Sequence, residues 1–372
     1  MSDIVLAQIG LGSIGQQVIA EIVEHREHWE AVYGIRVIYR ALIDTTGGVA
    51  CDEAGGYSND DLAALLRHRQ SGGRLSTLPE EWGWTKRTAS EALTITQPFG
   101  PVIAIDTATG IRTSELLGIN LTNGGGAVLS NKAPLALPLT DPVAELLWSE
   151  SRFGGRLRYE TTCGAGLPVI STLRSLLASG DEVTRVEGAL SGTLGAIFAD
   201  VDAGKPFSRA VVDAKAAGFT EPDPRDDLSG LDVARKALIL ARTIGIPVAL
   251  DAIEIENLVP ESLRGGNVDD FLAGIASVDD AIARRAEAAR ANGARLKYVA
   301  TVSPDAPISV GLREVPLDTV LGSLTGPENI MTIRSNRYHA NPINITGPGA
   351  GVAVTAAGVV ADMLELALLL GD

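Results

Sequence analysis

The sequence predicts an α/β protein of two domains, and three observations carry that prediction. A short apolar run, Ile4 to Ile9, leads directly into Gly10-Leu-Gly-Ser-Ile-Gly15 and then into a helical pattern through Val18, Ile19, Ile22 and Val23. Further short apolar runs, Ile35 to Ile43, Val102 to Ile105 and Ala127 to Leu129, each give way to polar residues, as buried parallel strands do. Beyond Pro168 the character changes. Leu296 to Val302, Ile308 to Val315 and Asn329 to Ile333 are strand-like with polar alternation, the pattern of a half-exposed antiparallel sheet. A chain of 372 residues is long enough for both domains.

The first strand, glycine turn and helix follow one another without a gap. Glycines at 10, 12 and 15 permit the tight turn, the approach of backbone to a pyrophosphate, and close helix–strand packing. The helix start then offers N–H groups and a partial positive charge to the phosphates. Gly10, Gly12, Ser13, Ile14 and Gly15 are therefore candidate cofactor contacts; taken alone, the hexapeptide could be only a structural turn. Asp44 ends the second strand, where an acid hydrogen-bonds the adenosine ribose of NAD. It lies further from the glycines than the usual spacing of about 20 residues, so His25 to Gly34 reads as a lengthened connection. No Arg or Lys follows Asp44 closely, although Arg40 is near, which gives a slight preference for NAD over NADP. The third strand ends in Asp106-Thr-Ala-Thr109, with Ala108 and Thr109 facing the cofactor crevice, and the fourth runs into Ser130-Asn-Lys132. A lysine there can orient a carbonyl or the nicotinamide; it can equally be a surface lysine. Between these strands, Gly47 to Trp84 reads as an insertion with a helix over Asp60 to Gln70. Arg156 to Thr162 reads as the last strand of the first domain.

Composition narrows the function. A net charge of −15 argues against nucleic acid or an anionic membrane as partner. Two cysteines provide no disulfide framework or metal cluster. No signal-peptide pattern opens the chain, and the apolar run near the C-terminus, with Asp362 and Glu365, reads as too short and too polar to span a bilayer. A soluble cytoplasmic protein is expected.

Ala217 to Lys236 is the most informative stretch of the second domain. It holds five acidic groups and a Pro-x-Pro pair, and a helix starts near Leu231, with Ser229 or Asp227 as its cap. Asp232 and Lys236 are four apart and share a face, while Arg235 and Arg242 lie on what reads as the solvent face. A half-buried lysine beside a carboxylate can transfer protons, and it can also be an ordinary helix ion pair. Asn267 to Gly293 reads as helix-rich, with Asp279, Asp280 and Arg284 on its polar side. Cys163 could serve as a nucleophile, or be a core thiol, or turn its loop's carbonyls toward a cation beside Glu160. Thr346-Gly-Pro-Gly-Ala-Gly351 is a second glycine turn, feeding an apolar helix that reads as buried; closing over the cofactor is one reason for it.

Together these pieces resemble the homoserine dehydrogenase family. The resemblance rests on Gly10-Leu-Gly-Ser-Ile-Gly15, Ser130-Asn-Lys132, Tyr159-Glu-Thr-Thr-Cys-Gly-Ala-Gly-Leu-Pro168, Gly188-Ala-Leu-Ser-Gly-Thr193, Ala217-Gly-Phe-Thr-Glu-Pro-Asp-Pro224, Leu231-Asp-Val-Ala-Arg-Lys236 and Gly349-Ala-Gly351. It implies NAD(P)-dependent interconversion of L-homoserine and L-aspartate 4-semialdehyde, in the threonine and methionine branch of amino-acid biosynthesis. It implies a Rossmann domain, 1–155, completed by a C-terminal helix, 346–372, and a mixed α+β catalytic and dimerisation domain, 156–345, in a homodimer. Lys236 would be the acid/base, Lys132 a contact to substrate or nicotinamide, Glu221 the partner of the substrate ammonium with Asp232 alongside, and Gly351 a cofactor contact. Glu160 with the carbonyls of Cys163, Ala165 and Leu167 would hold a monovalent cation, usually sodium. Two departures stand out: Asp106-Thr-Ala108 where the family often has Asp-x-Thr, and cysteine at 163 where it often has valine. The length leaves no room for an aspartate-kinase or regulatory ACT domain. The rival readings are an acylating semialdehyde dehydrogenase using Cys163 and a non-catalytic dinucleotide-binding sensor.

Overall fold

The computed structural model describes residues 2–53 and 55–371 and divides the chain into two units, Met1–Gly166 with Gly351–Asp372, and Leu167–Ala350. In the first unit, β1 (Ser2–Ile9), β2 (Ile35–Asp44), β3 (Gly47–Ala50), β4 (Lys86–Arg87), β5 (Val102–Asp106), β6 (Gly126–Leu129) and β7 (Leu157–Arg158) form one sheet in the order β4-β3-β2-β1-β5-β6-β7. The five strands from β2 to β7 are parallel, and β3 and β4 extend the sheet as an antiparallel hairpin. Ile4, Leu6, Ile103, Ile105 and Val128 are fully buried, which is why these strands read as continuous apolar runs. Register places Ile9 beside both Ile43 and Asp106, so Gly10, Asp44 and Asp106 reach the same edge of the sheet. The strand order reverses between β1 and β5, and an open α/β sheet binds its ligand at such a point.

His25 to Gly34 is not a separate connection. It is the end of a 21-residue helix, Ser13–Tyr33, which Gly34 stops in the left-handed region. The last strand is only Leu157–Arg158. After it the chain leaves the sheet: Thr162 N–H turns back to the Tyr159 carbonyl, and Glu160 N–H donates to Asp362 at 2.9 Å. These bonds hold 156–166 to the first unit, so the division falls after Gly166 rather than after residue 155. The C-terminal helix, Val352–Gly371, packs on the helix Ser13–Tyr33 with Ala356, Val359, Met363 and Leu366 buried. It is long and apolar enough to cross a membrane, contrary to the reading as too short, and only half of it is buried: Val352, Leu368 and Leu369 are exposed.

The second unit is built on β8 (Val183–Ala189), β9 (Glu254–Ile255), β10 (Ala294–Ser303), β11 (Ala306–Pro316), β12 (Asn329–Ser335) and β13 (Ile343–Gly347), in the order β13-β12-β8-β10-β11-β9. Apart from the short β9 the neighbours are antiparallel. The helix Leu231–Thr243 packs on β10 and β11 and is buried nearly all round. Arg242, expected at the solvent face, is 7% exposed and donates to the Val248 carbonyl at 3.0 Å. Asp279, expected on a polar outer side, instead accepts from the backbone and hydroxyl of Ser208. The turn after β13 has a packing reason for its glycine, because a Cβ at Gly349 would fall within 2 Å of the Asn329 amide carbon.

Candidate active site

The glycine turn of the first unit is shaped to receive a phosphate group. Gly10 has φ +91°, and a Cβ there would strike the Ala108 backbone at 2.5 Å. A Cβ at Gly15 would meet the Gly10 carbonyl at 2.1 Å, so the helix can sit this close to the strand only without one. In front of Gly12 there is open space. Gly12 is also the helix cap, and no side chain satisfies the N–H groups of that helix start. An uncapped helix start behind an open glycine fits a dinucleotide pyrophosphate. Thr107 supports the turn from below: its hydroxyl donates to the Gly10 carbonyl at 2.8 Å and accepts from the Gln8 amide at 2.8 Å. Ser13 and Thr109 are exposed at this edge, with Ile14 and Ala108 half-buried.

Asp106 organises the neighbouring loops. Its carboxylate accepts from Thr113 Oγ1 at 2.6 Å, Asn131 Nδ2 at 3.1 Å and Ala108 N–H at 3.0 Å. Burial raises the Asp106 carboxyl above its usual range, against those three hydrogen bonds. The Ser130 and Asn131 N–H groups both bond to the Asp106 carbonyl, which fixes the segment that carries the half-buried Lys132.

Asp44 is engaged elsewhere than expected. Its carboxylate accepts from Thr46 N–H and Oγ1 at 2.7 and 2.6 Å, from Leu75 N–H at 3.0 Å, and from Arg69 at 3.2 Å. An ionised carboxylate offers about four lone-pair sites, so none is left for ribose hydroxyls. Arg40, the near cation noted in the sequence, is buried; it donates to the Cys51 and Glu53 carbonyls and stacks on Phe99 at 3.7 Å.

The loop after the last parallel strand is unusual. Ala165, at φ +54°, is the one non-glycine at positive φ among the described residues, next to Gly164 at +99°. Such a backbone is strained at Ala165. Glu160 and Cys163 are buried here, while Leu167, at the start of the second unit, is half-buried. Burial, and then the charge of Glu160, push the neighbouring Asp362 carboxyl up to about 8. Among the described residues no group of three His, Cys, Asp or Glu could hold a metal ion. The Cys163 thiol is fully buried, with the Thr162 hydroxyl 3.9 Å away.

In the second unit, Lys236 lies on the buried side of its helix. Its Nζ donates to the Leu190 carbonyl at 2.7 Å and pairs with Asp232 Oδ2 at 2.8 Å, with Lys236 11% and Asp232 48% exposed by side chain. The acidic loop before the helix is more structured than expected, because Pro224–Leu228 is itself a short helix capped by Asp223. Ser229 ends that short helix, and Gly230 in the left-handed region begins the next; the Ser229 hydroxyl still accepts the Leu231 N–H at 3.3 Å, so of the two expected caps Ser229 reaches the helix start. Asp227 instead accepts the Glu221 N–H at 2.8 Å. Burial raises the Asp227 carboxyl, opposed by hydrogen bonds from Glu221 N–H and the Thr193 hydroxyl. The Glu221 side chain is exposed. One proton-bearing lysine, two carboxylates and an ordered acidic loop thus gather around the end of β8.

Three residues were not singled out as site residues by sequence reasoning: Arg69, Asp227 beyond a capping role, and the Leu190 carbonyl. Of these only Asp227 left a signal, as an acid six residues beyond Glu221 in a loop rich in acids.

A family model described as homoserine dehydrogenase matches residues 168–364, just over half of the chain. The homoserine dehydrogenase of Emericella nidulans is 38% identical over 284 residues, covering 72% of this chain and 76% of that one. The chloroplastic bifunctional aspartokinase/homoserine dehydrogenase 1 of Arabidopsis thaliana is 44% identical over 215 residues, 57% of this chain, and the match spans only 24% of that longer protein. Among solved structures, a hyperthermophilic archaeal homoserine dehydrogenase in complex with NADPH is similar at 25% identity and a TM-score of 0.72, covering 98% of this chain and 97% of that one. With the Gly10–Gly15 turn, the strained 160–166 loop and the Lys236 helix in place, these matches agree on one conclusion: the chain belongs to the homoserine dehydrogenase family.

Proposed function

We propose that the protein interconverts L-homoserine and L-aspartate 4-semialdehyde with a nicotinamide dinucleotide. The observation that carries this reading is Lys236, a buried lysine whose Nζ is held by the Leu190 carbonyl and by Asp232 on the same helix. When bound, the dinucleotide supplies or accepts the hydride. Gly10, Gly12, Ser13, Ile14 and Gly15 hold its pyrophosphate, with Ala108, Thr109 and Gly351 as further contacts. As the aldehyde is reduced, Lys236 stabilises the charge growing on its oxygen and delivers the proton; in the reverse direction it removes the hydroxyl proton. Glu221 binds the substrate ammonium, and Asp227 holds the Glu221 backbone in place for that contact. Lys132 touches substrate or nicotinamide from the segment fixed by Asp106. Glu160 and the carbonyls of Cys163, Ala165 and Leu167 hold a monovalent cation, taken to be sodium. The working form is a cytoplasmic homodimer.

The test is the near-ultraviolet absorbance of reduced nicotinamide, followed with purified protein and L-homoserine at alkaline pH, with NAD and NADP in separate cuvettes. Reduction that depends on homoserine is the expected result. No reduction with either cofactor, when binding of the cofactor is demonstrated, overturns the proposal.

A further inference from the structure

We infer that the ribose end of the dinucleotide site is built to receive a 2′-phosphate, with Arg69 as the residue that selects NADP over NAD. The inference rests on reading Gly10–Gly15 as a dinucleotide turn. In that fold the adenosine ribose lies between the glycine turn and the end of the second strand. Arg69, in the last turn of the helix Asn59–Gln70, spans this gap. Its Nε and Nη2 donate to the Leu11 carbonyl at 3.2 and 3.0 Å, and its Nη1 donates to Asp44 at 3.2 Å and to the Gly73 carbonyl at 2.7 Å. A guanidinium is thus fixed between the two walls of the ribose position.

This arrangement removes both effects by which an acid at the end of the second strand favours NAD. Asp44 has no acceptor left for the ribose diol, since Thr46, Leu75 and Arg69 occupy its oxygens. Its negative charge, which would repel a 2′-phosphate, is paired with Arg69. The hydrogen-bonded run then continues away from Asp44: Thr46 Oγ1 accepts the Ser76 N–H at 3.1 Å, and Lys86 Nζ donates to the Ser76 carbonyl at 2.9 Å. Two cations and one carboxylate therefore share this run, leaving it net positive. Of the five N–H groups of a guanidinium and the three of an ammonium, one on Arg69 and two on Lys86 are uncommitted among the described residues. These are donors for phosphate oxygens, one charge-assisted hydrogen bond from Arg69 and up to two from Lys86.

The experiment is a fluorescence titration of NADPH and of NADH with the purified protein, without substrate. The wild-type protein is expected to bind NADPH at least about tenfold more tightly, the worth of one charge-assisted hydrogen bond, and the ratio is expected to shrink as salt is raised. Arg69→Gln is expected to weaken NADPH binding by about ten- to hundredfold and to leave NADH nearly unchanged. Should that variant fail to fold, Lys86→Gln on the exposed hairpin serves instead, with a smaller loss in the same direction. Asp44→Asn is expected to keep NADPH binding. Equal or tighter binding of NADH by the wild-type protein, or an Arg69→Gln loss shared equally by both nucleotides, overturns the inference. Binding of neither nucleotide overturns the dinucleotide reading itself, so the two failures are distinguishable.

Discussion

Replacing Lys236 by methionine isolates the proton-transfer step. The side chain stays unbranched and reaches the position of Lys236 Cε, but the ammonium is gone. What is lost in the resting protein is small. Asp232 is 48% exposed, so its ion pair with Lys236 is screened by solvent and contributes about 0–1 kcal/mol. The Leu190 carbonyl loses one donor, about 1–3 kcal/mol if no water replaces it. The fold therefore survives with a modest fall in Tm. What is lost in the reaction is the group that neutralises the oxygen, and a positioned acid contributes about 10²–10⁴-fold in rate, or about 3–5 kcal/mol of barrier. The assay is reduction of L-aspartate 4-semialdehyde, followed by the absorbance of the reduced cofactor, with cofactor affinity measured separately by fluorescence. We expect kcat to fall by two to four orders of magnitude while cofactor affinity is unchanged. Lys236→Arg is not expected to restore it, because a guanidinium keeps the charge but does not release its proton near neutral pH. A methionine variant with kcat within a few-fold of wild type would refute the assignment.

Asp223→Ala removes the cap of the short helix Pro224–Leu228, and unfolding should show a loss of about 1 kcal/mol at pH 7. Arg225 holds the Asp223 carboxyl below its usual range, so this stability is present above that range and lost as pH falls through the folded-state value; the wild-type and variant curves should converge in acid. Gly12→Ala and Gly15→Ala should separate binding from folding. The first adds a methyl to open space and should weaken nucleotide binding with little change in Tm. The second drives a methyl into the Gly10 carbonyl and should destabilise by about 1–3 kcal/mol as well. Cys163→Ala should keep homoserine oxidation at a stability cost of about 1 kcal/mol, whereas an acylating dehydrogenase would lose all turnover.

The parallel strands and the glycine turn were readable because their physics is local to the sequence. A strand buried on both faces has to be apolar throughout, and Gly10 and Gly15 have no room for a Cβ. The pieces that sequence reading missed are set by partners far along the chain. β4 and β13 are short edge strands, and β3 is a short strand between β2 and β4; the existence of all three depends on what they pair with. Arg242 looks like a surface residue by helical spacing, and it is buried because the Val248 carbonyl receives it. In the second unit, Glu221, Asp232 and Lys236 could be picked out together as candidates because they fall within sixteen consecutive residues. At the nucleotide end the sequence does not show the partners that Asp44 has within the protein. The residue is the expected type in the expected place, at the end of the second strand and level with Gly10. Its chemistry is nevertheless decided by Arg69, Leu75 and Thr46, and two of those lie in the Gly47–Trp84 insertion, 25 and 31 residues further on. If Arg69 receives a 2′-phosphate as inferred above, an insertion that supplies both the cation and the backbone donor to one carboxylate has turned that acid into the anchor of a basic patch. The motif alone therefore carries less information about the preferred nucleotide than the segment that follows it.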